Sequence, residues 1–219
     1  MNILSIDFDW IMAPSIQSYN SLSRPQVNWT YNTWRNIEFE IPANNFQFDP
    51  EKYYQLLHII QQFKLDCKDL DYIYTGLDHH TILEACKFWQ LPQDESYTLC
   101  NIDHHHDCGY CMDTEPYLTT VQQQGPSLSN WVYYFCEKYK TTNYIWVKNQ
   151  NSLMPMNDTF LPQDTLILPS SDLTVIDNIK FDRLFICLSP DWVPPKYYPL
   201  YNVIEDLIRL RPFDFINKK

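Results

Sequence analysis

Glycine is nearly missing from this chain, with three in 219 residues, and cations are few: 16 lysines and arginines face 27 aspartates and glutamates, a formal net charge of -11. So little glycine leaves no glycine-rich loop around any tyrosine. So few cations leave no cluster to neutralise a phosphate backbone, which excludes a general nucleic-acid binder and favours cationic partners. No apolar stretch reaches membrane-spanning length, and the first hydrophobic run, Ile3 to Ile6, is cut short by Asp7 and Asp9. Neither a membrane partner nor a signal peptide is expected, and the expected location is cytoplasmic. Paired cysteine motifs are also lacking: Cys108 and Cys111 form one isolated C-x-x-C among seven scattered cysteines. Buried free thiols are therefore expected, in place of disulfides or a zinc ribbon. There are no internal repeats and no charge blocks.

What is present is largely apolar. A hydrophobic fraction of 45% with 16% aromatics exceeds what a disordered chain carries, and 219 residues suffice for one packed domain spanning 1–219. The run Asn2-Ile-Leu-Ser-Ile-Asp-Phe-Asp9 predicts a buried strand that delivers carboxylates at its C-terminal end. The same grammar, an apolar run and then a polar cluster, recurs three times. It appears at 71–75 before Gly76-Leu-Asp-His-His80, at 97–102 before Asp103-His-His-His-Asp107, and at 183–188 before Ser189-Pro-Asp-Trp192. Further strands are predicted at 144–148 and 165–168. Helical spacing marks 50–63, with Leu56, Leu57, Ile59, Ile60 and Phe63 on one face, and also 81–89, 127–139 and 198–210. Asp49-Pro50 predicts a cap and first turn, and Gly125-Pro126-Ser127 a similar start. The alternation specifies an α/β fold, a three-layer, mostly parallel sheet flanked by helices, with its site at the carboxyl ends of strands. Residues 15–45 and 149–162 lack periodicity and predict long surface loops, the first a candidate frame for a binding cleft.

Five of the six histidines, His79, His80, His104, His105 and His106, directly follow predicted strands and are flanked by Asp78, Asp103 and Asp107. Such a concentration of ligand types at adjacent strand ends points to a metal site. In an extended segment Asp103, His105 and Asp107 share one side, so their side chains converge, while His104 and His106 face away as hydrogen-bonded structural groups. Mixed imidazole and carboxylate donors suit manganese, iron or zinc better than magnesium or calcium. Asp7 and Asp9 repeat the alternation, and two like charges aimed into one pocket call for a cation between them. The alternative for Asp9 is a cap on the turn that follows.

These residues resemble the superfamily of arginases, agmatinases and histone-deacetylase-like hydrolases. Asp103-His-His-His-Asp107 matches its D-x-H-x-D motif, and Gly76-Leu-Asp-His79 is similar to its G-G-D-H segment, in the expected order. The third ureohydrolase motif, S-x-D-x-D, belongs late in the chain, but here Ser5-Ile-Asp7-Phe-Asp9 stands at the N-terminus, with Ala13 in place of the motif's final Asp. That order implies an arginase-like and possibly permuted fold. With the late Ser189-Pro-Asp191-Trp192, the chain looks most like the peptide arginases, which convert arginine side chains in ribosomally made precursor peptides to ornithine and urea.

The resemblance implies two manganese ions that share Asp103 and an N-terminal aspartate. His79 and Asp107 would complete one site, and His105 and Asp9 the other. Asp103, His105 and His80 are then candidate catalytic residues, and Asp191 is a candidate carboxylate for the substrate guanidinium, which a carboxylate meets in bidentate fashion, or alternatively a metal ligand or a capping residue. Where arginases carry a proton-shuttling histidine in H-G-x-P, this chain has Gln124-Gly125-Pro126, leaving His80, His104, His106 or water for that role. Two rivals remain: a deacylase with one zinc ion, mildly favoured by the pair His79 and His80, and a non-catalytic peptide-binding module with a structural ion. Trp29, Tyr31, Trp34 and Phe39 form either a peptide groove or core.

Overall fold

Parallel strands buried on both faces need apolar side chains on both sides, and the four runs that end in polar clusters meet that need. In the computed structural model they form four consecutive strands at one side of a single sheet. The structure describes residues 1–12, 47–67, 70–108, 125–127, 130–150, 152, 161, 164–190 and 192–210. The strands are β1 (Asn2–Asp7), β2 (Ile73–Gly76), β3 (Tyr97–Asp103), β4 (Thr141–Lys148), β5 (Leu166–Ser170) and β6 (Arg183–Cys187). Their order is β2-β6-β1-β3-β4-β5, and every neighbouring pair is parallel. The helices are α1 (Pro50–Asp66), α2 (Ile82–Phe88), α3 (Trp131–Lys138) and α4 (Tyr198–Arg209).

Alternation along the strands divides the core into two layers. Leu4, Ile6, Cys100, Ile102, Leu184 and Ile186 pack with Leu56, Ile60 and Phe63 of α1 and Tyr201, Ile204 and Ile208 of α4. Ile3, Leu99, Phe185 and Cys187 face the other way, toward Ile82 and Ala85 of α2 and Trp131 and Phe135 of α3. Helices thus cover both faces, giving three layers. Asp49 caps α1 by accepting from Glu51 N at 2.9 Å, with Pro50 supplying the first turn. The ammonium of Lys64 on α1 donates to the carbonyls of Leu207 and Leu210, closing the exposed end of α4.

Several boundaries depart from the spacing. The first strand stops at Asp7, because the Asp7 carboxylate accepts from Asp9 N at 3.0 Å and caps a 3-10 turn over Phe8–Ile11. It is Asp7, not Asp9, that caps. The second strand begins at Ile73, after a 3-10 turn over Leu70–Tyr72. The helix expected from 127 starts at Trp131, since Asn130 is non-helical at φ -141° and accepts from Ser127 N instead. Another 3-10 turn, His79–Thr81, leads into α2, and α1 runs three residues past 63 to Asp66. The predicted N-terminal loop over 15–45 lies outside the described residues. No described helix is long and apolar enough to cross a membrane.

Candidate metal centre

Parallel pairing aligns the carboxyl ends of the central strands. Asp7 ends β1, Asp103 ends β3 and Cys187 ends β6, with Asp7 opposite Cys187 and Cys187 opposite Gly76. By parity Ser5 and Asp7, Asn101 and Asp103, and Cys187 all lie on the face covered by α2 and α3. His79 enters this face from the turn after β2. Its ring stacks on Phe185 at 5.9 Å and lies 4.5 Å from that of Trp131, and Ser5 Oγ sits 2.6 Å from Nε2. Gly76 permits the approach, since a Cβ there would collide with Thr81 Oγ1 and crowd the Phe185 ring.

With Nε2 held by Ser5, His79 turns Nδ1 to three carboxylates. Asp103 Oδ2 and Asp107 Oδ2 lie 3.0 Å away and Asp7 Oδ2 lies 3.2 Å away. None meets the nitrogen in hydrogen-bonding geometry. Asp107 arrives by a route different from the extended one expected from its spacing. The strand ends at Asp103, and Asp107 turns back in the left-handed region at φ 50°. Trp131 Nε1 then donates to its Oδ2 at 2.6 Å. Asp tolerates this backbone better than most side chains.

The second half of the centre forms around His105. Its Nδ1 lies 3.1 Å from Asp9 Oδ2 and 3.8 Å from Asp103 Oδ1, and its ring packs 4.3 Å from that of Trp192. Asp9 reaches this point from the 3-10 turn after β1, where its Oδ1 accepts from His104 N at 3.4 Å. Asp103 therefore divides its oxygens, Oδ2 toward His79 and Oδ1 toward His105. Asn101 Nδ2 holds Oδ2 at 3.0 Å and His105 N holds Oδ1 at 2.8 Å.

Three groups of buried donor atoms result, each within 4.8 Å: His79 with Asp103 and Asp107, Asp9 with Asp103 and His105, and Asp7 with His79 and Cys187. These clusters can hold a metal ion. Four buried carboxylates face two imidazoles without an opposing Lys or Arg among the described residues at the site. Leaving such charges uncompensated would cost several kcal/mol per ion. Asp9 Oδ2 and His79 Nδ1 are buried and without a hydrogen bond among the described residues, so donor atoms stand ready at each end of the row. The protonation equilibria tell the same story. Burial, and then the charges of Asp7, Asp103 and Asp107, raise Asp9 well above the usual carboxylate range. Burial and the charge of Asp103 push Asp107 up to about 8. Burial alone would depress His79, but Cys187 and the carboxylates of Asp103, Asp107 and Asp7 outweigh it and hold the ring well above its ordinary value. Protons are drawn in where a cation would otherwise sit.

The other candidates fall elsewhere. His80 is in none of the donor groups, and its buried Nδ1 has no hydrogen bond among the described residues. His104 and His106 are buried, and desolvation, with the charge of His105, lowers them to about 2 and about 4. His106 Nδ1 accepts from Cys108 N at 3.1 Å, a structural bond. Cys108 is a buried free thiol, as are Cys86, Cys100, Cys136 and Cys187. Asp191, Cys111, Gln124, Ala13 and the aromatic residues Trp29, Tyr31, Trp34 and Phe39 lie outside the described residues. The motifs contain Ser5 and Ser189 without assigning them a role and leave Asn101, Trp131 and Cys187 unmarked, yet all five touch the centre. Ser189, at φ 50°, donates to Asp7 Oδ2 at 2.5 Å. Two signals lay in the sequence: Ser5 and Asn101 each stand two residues before a strand-end aspartate, and Ser189 and Trp192 bracket the late S-P-D-W.

Fold and site together define an α/β protein with a buried, carboxylate-rich centre able to hold a metal ion. Compared with protein-family models, with curated proteins and with solved structures, the chain finds no match.

Proposed function

We propose that this protein is a binuclear, manganese-dependent ureohydrolase that converts arginine side chains in a precursor peptide to ornithine and releases urea. The observation that carries this reading is the division of Asp103. One carboxylate oxygen faces His79 and Asp107 and the other faces His105 and Asp9, an arrangement suited to two ions sharing one carboxylate. Mixed imidazole and carboxylate donors suit manganese. Such ions supply positive charge and a water acidic enough to act near neutral pH.

The residues of the chain would do the rest. Asp7, Asp9, His79, Asp103, His105 and Asp107 hold the ions, while Ser5, Asn101, Trp131 and Ser189 fix the orientation of those side chains. Asp191, one residue before the Trp192 ring that packs on His105, is proposed to hold the guanidinium. His80 is proposed to move a proton at the edge of the centre, a role that needs no metal contact. A cytoplasmic setting, where precursor peptides are made, belongs to the same proposal.

The test is mass spectrometry of manganese-loaded protein with arginine-containing peptides and with free L-arginine, with Asp103→Ala as the control. Loss of CH2N2 per arginine in peptides alone supports the proposal. Turnover of free arginine points to an ordinary ureohydrolase. No change in any arginine substrate, together with cleavage of acylated amines, refutes it in favour of a deacylase.

A further inference from the structure

The last residue of β6 brings a donor of a different chemical kind to the centre. Cys187 is paired in register with Asp7 on one side and Gly76 on the other, so its thiol leaves the sheet beside the Asp7 carboxylate in a row to which Gly76 adds no side chain. The sulfur, an Asp7 oxygen and a His79 ring nitrogen lie within 4.8 Å of one another, and all three residues are buried. Ser189 Oγ, 3.6 Å from the sulfur, donates to Asp7 Oδ2 and so ties the two side chains together. Independently, His79 Nδ1 is 1% exposed as part of its residue, lies 3.2 Å from Asp7 Oδ2 and has no hydrogen bond among the described residues.

His79 belongs to two of the three donor groups; in the neutral ring that donates from Nε2 to Ser5 Oγ, the lone pair is the one on Nδ1, and one lone pair binds one ion. The two groups are therefore alternative surroundings for a single ion, one rich in oxygen through Asp103 and Asp107, the other containing sulfur through Asp7 and Cys187. Soft thiolates select zinc, cobalt and cadmium, whereas manganese prefers carboxylates. We infer that Cys187 is a conditional metal ligand that draws thiophilic divalent ions to the Asp7, His79 and Cys187 position and leaves manganese on the carboxylates. When such an ion binds, the S–H proton passes to solvent and the sulfur forms the bond to the metal. The inference rests on reading this edge as a metal centre and is independent of any arginine chemistry.

The experiment titrates the full-length, metal-free protein with Co2+ while recording near-ultraviolet absorption, and with Mn2+ by calorimetry. Wild type is expected to develop an intense sulfur-to-cobalt charge-transfer band. Cys187→Ser is expected to lose that band while retaining its far-ultraviolet circular dichroism and its Mn2+ binding. Cys187→Ala gives the same comparison if the serine variant misfolds. Cobalt binding to wild type without the band overturns the assignment of Cys187 alone, as does a band that survives in the variants. Failure of both Co2+ and Mn2+ to bind overturns the metal centre itself.

Discussion

The indole of Trp131, the first residue of α3, donates its Nε1 hydrogen to Asp107 Oδ2 at 2.6 Å, on the same carboxylate oxygen that lies 3.0 Å from His79 Nδ1. A helix packed on the sheet thereby fixes a side chain whose own backbone sits in the left-handed region. Removing the donor while keeping the bulk tests its contribution. In Trp131→Phe, affinity for Mn2+ measured by calorimetry should fall by about 10- to 100-fold, as expected for losing a partner that orients a ligand. Unchanged affinity would reduce Trp131 to packing.

Gly76 is required because of what surrounds it, not because of its backbone angles. Its added Cβ in Gly76→Ala would strike Thr81 Oγ1, which donates to Asp78 O at 2.6 Å, and would press on the Phe185 ring that supports His79. Overpacking of this kind costs about 1–3 kcal/mol. Denaturant unfolding should show a loss in that range, and the Mn2+ site should weaken because the turn carrying His79 must move. A neutral substitution would mean that the turn yields freely.

Much of this architecture was legible from the sequence because the forces that make it are local. Apolar runs that end in acids give buried parallel strands, and four of the six strands were marked by that grammar alone. Spacing groups Asp103, His105 and Asp107, and the structure gathers them around the two oxygens of Asp103 by a different physical route. The spacing predicts an extended segment, whereas the chain turns at the end of β3 and Asp107 adopts φ 50°. A left-handed aspartate leaves no mark in the sequence beyond the tolerance of that side chain. Cys187 was invisible for a different reason. β6, the last strand in sequence, lies beside β1, the first, so the register that sets Cys187 opposite Asp7 is a property of strand order. The late S-P-D-W draws attention to Asp191, whereas Ser189 and Trp192 are the members of that motif that contact the described centre.

The stability of the metal-free protein should depend on pH in a definite direction. Asp107 is pushed up to about 8, and Asp9 and His79 also stand above their ordinary values. In each case the folded state keeps a proton that the unfolded state releases, so the stability gained is present at low pH and is lost as pH rises through the folded value. For Asp107 the decline runs from about pH 4, the unfolded carboxylate value, to about 8. Burial would raise Asp103, but His79 and then His105 outweigh it and hold it below the ordinary range. Its contribution is therefore complete above that range and does not oppose the decline. Below about pH 6.5, the unfolded imidazole value, His104 and His106 act the other way, since burial holds both rings neutral in the folded state while the unfolded rings take up protons. Calorimetric scans should therefore show the metal-free melting temperature falling between about pH 6.5 and about pH 8, with the increase on adding Mn2+ larger at the upper end, where protons compete least. A flat profile would mean that the carboxylates escape one another's charge by moving apart.

Asp103 should be the one residue whose loss empties the whole centre. Its Oδ2 serves the group with His79 and Asp107 and its Oδ1 serves the group with His105 and Asp9, whereas His105 and Asp107 each belong to one group only. Native mass spectrometry under Mn2+ should therefore find two ions on wild type, one on His105→Ala, one on Asp107→Ala and none on Asp103→Ala. Asp103→Asn provides a gentler form of the same test, since it keeps the shape while giving up the charge that attracts both ions. If Asp103→Ala retains one ion, the two groups are separate sites and the shared carboxylate is only a hydrogen-bond acceptor for Asn101 and His105. If wild type binds a single ion, the binuclear proposal falls even though the buried donor clusters remain.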